Sequence, residues 1–209
     1  MRTLLDRPYQ LLNTTRRLSF LAPLALRLFL VPVLYMAGTH KLADMPATIE
    51  WFGNSVWGLG LPFPTLLAWM AALTETLGAL LLLLGLAVRW ISIPLMVTML
   101  VAIFVVHWPN GWQAIADSGA PFANDQVLSA GPKLEQAKQI LEKHGNYAWL
   151  TSSGHFAIIN NGIEFAVIYL IMLLSLFFSG AGYWFSVDYW IARVMRSPTG
   201  WPLCPLTRV

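Results

Sequence analysis

Four apolar runs of helix length dominate the chain, at about residues 21–42, 65–86, 90–108 and 158–180. Each comes near the 20 residues that an α-helix needs to span about 30 Å of hydrocarbon. A segment in lipid has no water to satisfy its backbone, so it crosses as a helix or in a closed barrel. These runs lack the alternating polarity of barrel strands. The expected fold is therefore all-α, an integral membrane four-helix bundle forming a single membrane domain over residues 1–209. Composition agrees: 57% of the 209 residues are apolar and 11% are charged, against about 45–50% and about 25% in soluble domains.

The first run contains Pro23, Arg27 and Pro32, and the segment before it, Leu11 to Ser19, is expected to lie at the interface. Arg16 and Arg17 precede Phe20 as in a twin-arginine leader with one residue too many. The run is interrupted by Arg27 and lacks an A-x-A cleavage site, so it reads as an uncleaved first helix. The second and third helices are expected to form a tight hairpin around Ala87, Val88 and Arg89. Residues 109–157 are too polar to span and are expected to form an extracytoplasmic cap between helices 3 and 4. Within the cap, Leu134, Ala137, Ile140 and Leu141 recur at helical spacing after Gly131 and Pro132, which predicts a short amphipathic helix from Lys133 to His144.

The net charge of +3 does not point to nucleic acid, because the arginines sit at the termini, at Arg27 and at the Arg89 turn. With four crossings, Arg2, Arg7, Arg16, Arg17, Arg89, Arg193, Arg196 and Arg208 share one side. The positive-inside rule makes that side cytoplasmic, so a bacterial-type inner membrane with both termini inside is expected. The four lysines and four histidines then lie at or beyond the opposite face. Cys204 is the sole cysteine, which excludes an internal disulfide and a Cys-rich metal site. The chain also carries no haem, flavin or iron–sulfur motif, so an electron source is expected on a partner or a bound substrate.

Ionisable residues inside a membrane are costly and mark functional sites by default. Glu75 lies in an apolar helix with Ala71, Gly78, Leu82 and Gly85 at heptad spacing, so its face is expected to turn into the bundle. Arg27, Val31, Leu34, Gly38 and Lys41 make a matching stripe on the first helix. Lys41 lies fourteen residues from Arg27, and Glu75 fourteen from Arg89, about 21 Å of helix in each case. His40, Lys41, Glu75, His107 and Glu164 are thereby expected to converge in one end of the bundle. The candidate catalytic residues are Glu75, His107, Glu164 and Lys41, with His40 and Tyr169 as candidate cofactor-binding residues. Three readings stay open at this point. Lys41 could simply neutralise Glu75 and His107 neutralise Glu164. The group could exchange protons beside a quinone headgroup. Alternatively, His40, His107, Glu75 and Glu164 could hold a divalent metal.

These residues resemble the DoxX family of small four-helix membrane proteins. The resemblance rests on Arg27, on Ala37-Gly38-Thr39-His40-Lys41-Leu42, and on Glu75-Thr76-Leu77-Gly78 with Leu84-Gly85-Leu86. Further along it includes Val106-His107, Gly162-Ile163-Glu164, Gly180-Ala181-Gly182 and Ser186-Val187-Asp188. It implies membrane sulfur and quinone redox chemistry, with a lipid quinone as cofactor and a sulfur or thiol substrate. The alternative reading of the same polar cluster is a non-enzymatic membrane accessory or carrier for a metal or metal-binding peptide. The expected partners are the lipid bilayer, a protein docked on the cap and further copies of the chain. Asp188 and Ser186 match the family's inner-face motif, where a helix N-cap is the simple explanation.

Overall fold

The structure is a computed structural model that describes residues 18–195. The interfacial segment before Leu18, Cys204 and the arginines at 2, 7, 16, 17, 196 and 208 lie outside the described residues. The described chain is all-α. Its helices are α1 (Leu21–Ala43), α2 (Met45–Gly53), α3 (Pro64–Leu84), α4 (Val88–Val101), α5 (Asp125–His144), α6 (Tyr147–Leu150), α7 (Glu164–Ser179) and α8 (Val187–Met195). The α4 helix continues through a π-helical turn, Ala102–His107, and a 3₁₀ turn, Trp108–Asn110. Among the described residues three helices are long and apolar enough to cross a membrane: α1, α3 and the continuous Val88–Asn110 segment. The fourth, α7, has 16 residues, or about 24 Å, and is shorter than the sequence suggested.

The chain forms two compact units, one from Met1–Val97 with Ile171–Val209 and the other from Thr98–Leu170. In the first, α1 packs along α3. The buried face of α1 carries Arg27, Leu30, Leu34 and Gly38, and that of α3 carries Ala68, Ala72, Glu75, Gly78 and Leu82. Small residues let the two backbones approach, as in lipid-embedded helix pairs generally. A Cβ on Gly38 would run into Thr76 and the Ala72 carbonyl. The predicted stripes are thus correct at Arg27, Leu34, Gly38, Glu75, Gly78 and Leu82, while Val31 is only half-buried and Leu30 takes its place in the core. A short helix follows α1 because Asp44 accepts the Ala47 N–H at 3.1 Å and Pro46 opens the next turn. Its Met45 and Phe52 bury against Ala68 and Ala72 of α3.

The turn between α3 and α4 is held from both sides by charge. Gly85 ends α3 with φ 65°, a left-handed conformation that glycine adopts without strain. Arg27, 1% exposed, donates to the Leu82 and Leu83 carbonyls at 2.7 and 3.1 Å, and to Ala181 and Phe185 carbonyls at 2.6 and 3.0 Å. The first two belong to the last turn of α3, where carbonyls run short of intrahelical donors and Leu82 O otherwise accepts only the Gly85 N–H at 3.1 Å. On the other side, the Asp188 carboxylate accepts the Ala87 and Val88 N–H groups at 2.7 and 3.1 Å, where α4 starts. Cation at a C-terminus and carboxylate at an N-terminus are the signs the helix dipole favours. Arg89 does the same for α7, donating to the Phe178 carbonyl at 3.1 Å.

In the second unit the chain after α4 runs antiparallel to the residues before α7. Ala116 N–H bonds Ile158 O at 2.9 Å, Asn160 N–H bonds Ala114 O at 2.9 Å, and Glu164 N–H bonds Trp112 O at 3.0 Å. Ile115 and Ile159 form an isolated bridge. This pairing corrects the expected start of the fourth helix: residues 158–163 are apolar in part, yet their backbone is committed to 111–116, and the helix opens at Glu164. The buried Asn160 amide locks the junction by donating to Asn110 O and Gln113 O, both at 2.7 Å. The amphipathic helix of this region also differs from expectation. It begins at Asp125, because the Asn124 side chain caps it through Val127 N–H at 2.9 Å, and it carries Pro132 inside.

Candidate functional site

The Lys41–Glu75 pair follows directly from the two facing stripes. Lys41 Nζ lies 2.5 Å from Glu75 Oε2, and the two side chains are 23% and 7% exposed. The expected pairing of these residues is therefore present. Lys41 reaches the carboxylate because Gly38, one turn earlier, removes the bulk between the helices. Its remaining protein contact is the Ala37 carbonyl at 3.5 Å. Thr76, next to Glu75, places a buried hydroxyl against Gly38, and that oxygen has no hydrogen-bond partner. On the faces away from the packing, Tyr35, Met36, Leu73 and Leu77 are exposed.

His107 and Glu164 do not pair with each other. His107 Nδ1 lies 2.9 Å from the Asn161 carbonyl, which also accepts the Asn110 side chain at 3.1 Å. Glu164 Oε2 accepts the Ala114 N–H at 2.9 Å. Both side chains thus satisfy backbone left over where the helices end, a role that sequence spacing does not distinguish from an ion pair. His107 closes the π-helical turn, a geometry that recurs at functional sites. These two residues belong to the unit Thr98–Leu170, and Lys41 and Glu75 to the other.

His40 is exposed on the last turn of α1, and His144 and His155 are exposed in the second unit. Tyr169 stacks on Phe165, with ring centroids 6.4 Å apart and planes at 15°. Among the described residues no group of three or more His, Cys, Asp or Glu side chains could hold a metal ion.

A groove of about 450 Å³ opens in the second unit between Trp112, Phe122, Phe165, Asp117 and Glu164. Its wall is a loop folded around Gln113, which is 3% exposed and bonds Asp117 N–H at 2.8 Å and Asp117 O at 3.1 Å. Sequence reasoning passed over this groove, since its residues lie in the polar stretch 109–157 and at the start of α7 with no spacing that brings them together. It also missed the reach of Asp188. Ser186 is the local cap of α8, accepting Tyr189 N–H at 3.2 Å, whereas Asp188 caps α4, a hundred residues away in sequence. Only the family motif had singled it out.

No curated protein and no solved structure matches the chain. The DoxX family model matches residues 22–108, which span α1 to the end of α4 and include Arg27, Gly38, Lys41, Glu75 and His107. The match stops before Glu164 and Asp188. Three membrane-length helices and the charged pair between two of them describe a membrane protein, and its residues 22–108 are similar to the DoxX family.

Proposed function

We propose that the chain is a membrane subunit of a quinone-linked redox system acting on a sulfur or thiol substrate, with the Lys41–Glu75 pair as its quinone headgroup site. The observation that carries this reading is the buried carboxylate whose ammonium partner stays partly open. Lys41 spends one proton on Glu75 and only a long contact on Ala37, so a donor remains for a carbonyl oxygen. The exposed Tyr35, Met36, Leu73 and Leu77 provide apolar surface for an isoprenoid tail. When bound, a lipid quinone supplies the two-electron, two-proton acceptor needed for two thiols to become a disulfide.

The chain's own residues then have separate tasks. Lys41 hydrogen-bonds and polarises the headgroup oxygen, and Glu75 holds or releases a proton at Oε2. His40, exposed beside Lys41 in sequence, connects this pair with water at the helix end. His107, Glu164 and Tyr169 serve the second unit and are not required for headgroup binding. The electron path to a sulfur substrate lies on a partner protein. Both termini are cytoplasmic in this reading, in an inner membrane of bacterial type.

Organic extraction of the full chain purified in dodecyl maltoside, with elemental analysis of the same sample, tests the proposal. Quinone should co-purify, and Lys41→Met or Glu75→Gln should lower its occupancy about tenfold or more while the protein stays folded. Stoichiometric iron, copper or zinc without quinone would replace this reading with that of a metal accessory. Equal quinone in wild type and both variants would remove the site.

A further inference from the structure

The groove in the Thr98–Leu170 unit carries a reading independent of the quinone proposal. We propose that it binds an ammonium group, either that of a free amine or that of a zwitterionic phospholipid headgroup. Two carboxylates, Asp117 and Glu164, line it together with the aromatic rings of Trp112, Phe122 and Phe165, and no Lys, Arg or His contributes to the wall. An anion would meet two negative charges and no compensating cation. A neutral apolar ligand would strip water from both carboxylates without replacing it, which is costly. An ammonium group satisfies both sets at once, by ion pairing to the carboxylates and by lying over the ring faces. A divalent metal ion lacks the ligand set, since no third metal-binding side chain joins the two carboxylates among the described residues.

The groove is also preformed. Glu164 is fixed by its bond to Ala114 N–H, and Asp117 by its bond to Gly119 N–H at 2.9 Å. The Gln113 amide holds the loop from inside, and its Nε2 lies 3.4 Å from Pro121 O. Phe122 has φ 64°, a left-handed backbone that is strained for a bulky residue. The residue is 75% exposed, and its ring stands 5.9 Å from the Trp112 ring at an angle of 56°. An exposed aromatic held against its backbone preference gains nothing from core burial, whereas two tilted rings lining an open groove with two carboxylates offer the partners a substituted ammonium takes.

The test uses the full chain in dodecyl maltoside, titrated calorimetrically with choline chloride against matched sodium chloride, with sodium acetate as the anionic control. Choline should bind saturably and acetate should not. The double variant Asp117→Asn with Glu164→Gln keeps both backbone hydrogen bonds and should weaken choline at least about tenfold. Phe122→Gly removes the ring while relieving the left-handed backbone, so binding should fall and thermal stability should hold or rise. Lys41→Met should leave choline affinity unchanged, which separates this site from the quinone proposal. The source is then read by native mass spectrometry from mixed-lipid nanodiscs. Retention of phosphatidylcholine or phosphatidylethanolamine over phosphatidylglycerol, lost in the double variant, identifies a lipid headgroup; choline binding without lipid preference identifies a free amine. No saturable choline binding, or equal binding by wild type and Phe122→Gly, overturns the proposal.

Discussion

At the level of single residues, the chain tolerates charge in an apolar setting by giving each charge a partner whose loss is costly. Lys41 and Glu75 are the clearest case, because neither reaches bulk water freely and each neutralises the other. Removing one partner of a buried ion pair costs about 3–5 kcal/mol, whereas replacing both with apolar residues is often neutral. Glu75→Gln should therefore destabilise the protein, at the lower end of that range since Lys41 is partly exposed. The double change with Lys41→Met should recover about half or more of the loss. Denaturant unfolding of the four proteins in mixed micelles measures the coupling, and additive losses would show that the pair is not energetically linked. This pair was legible in the sequence because helical periodicity fixes which residues of two long helices share a face. The expected His107–Glu164 pair failed because both residues sit where helices end. There the nearest unsatisfied partners are backbone groups, and 3.6-residue spacing carries no information about them.

At the level of elements, the helix ends decide more than the helix interiors do. Arg27 contributes four hydrogen bonds to carbonyls of Leu82, Leu83, Ala181 and Phe185, and Asp188 contributes two from the N–H groups of Ala87 and Val88. Lysine cannot copy the planar fork of Arg27, so Arg27→Lys should lose about 2–3 kcal/mol and Arg27→Met more. Asp188→Ala should lose about 1–2 kcal/mol, the cost of an uncapped helix start. Thermal denaturation in detergent would check the ranking, with Arg27→Met below Asp188→Ala; the reverse order would place the main restraint at the start of α4. The extents of α1 and α3 were readable to within two residues from apolar runs and Gly85. The start of α7 was not, because Ile158 and Ile159 look like helix but pair with 114–116. The length of α5 was hidden by Pro132, which signals a helix start when the Asn124 cap eight residues earlier is overlooked.

For the whole molecule the number of crossings decides the topology, since three and four put the C-terminus on opposite sides. The α7 helix has 16 residues and covers about 24 Å, which falls short of the hydrocarbon thickness by about 6 Å. A shortfall of that size is accommodated by local thinning or by flanking residues at a modest cost per ångström. The sequence supplies such flanks: Phe165 and Tyr169 at one end of α7, with Tyr183, Trp184 and Trp190 after the other, are amphipathic or aromatic residues of the kind found at membrane interfaces. Leaving a helix with Leu173 and Leu176 fully buried and Ile171, Leu174 and Phe178 exposed on one aqueous side would instead hydrate large apolar surface. A fourth crossing through α7 is therefore the expected outcome. With Cys204 replaced, a cysteine at the exposed Gln136 should react with an impermeant thiol reagent in spheroplasts whose inner membrane is intact. A C-terminal protease site in the same cells should be cut only after the membrane is disrupted. Cleavage in intact spheroplasts together with Gln136→Cys labelling would mean three crossings, and labelling only after disruption would invert the orientation that the arginines suggest.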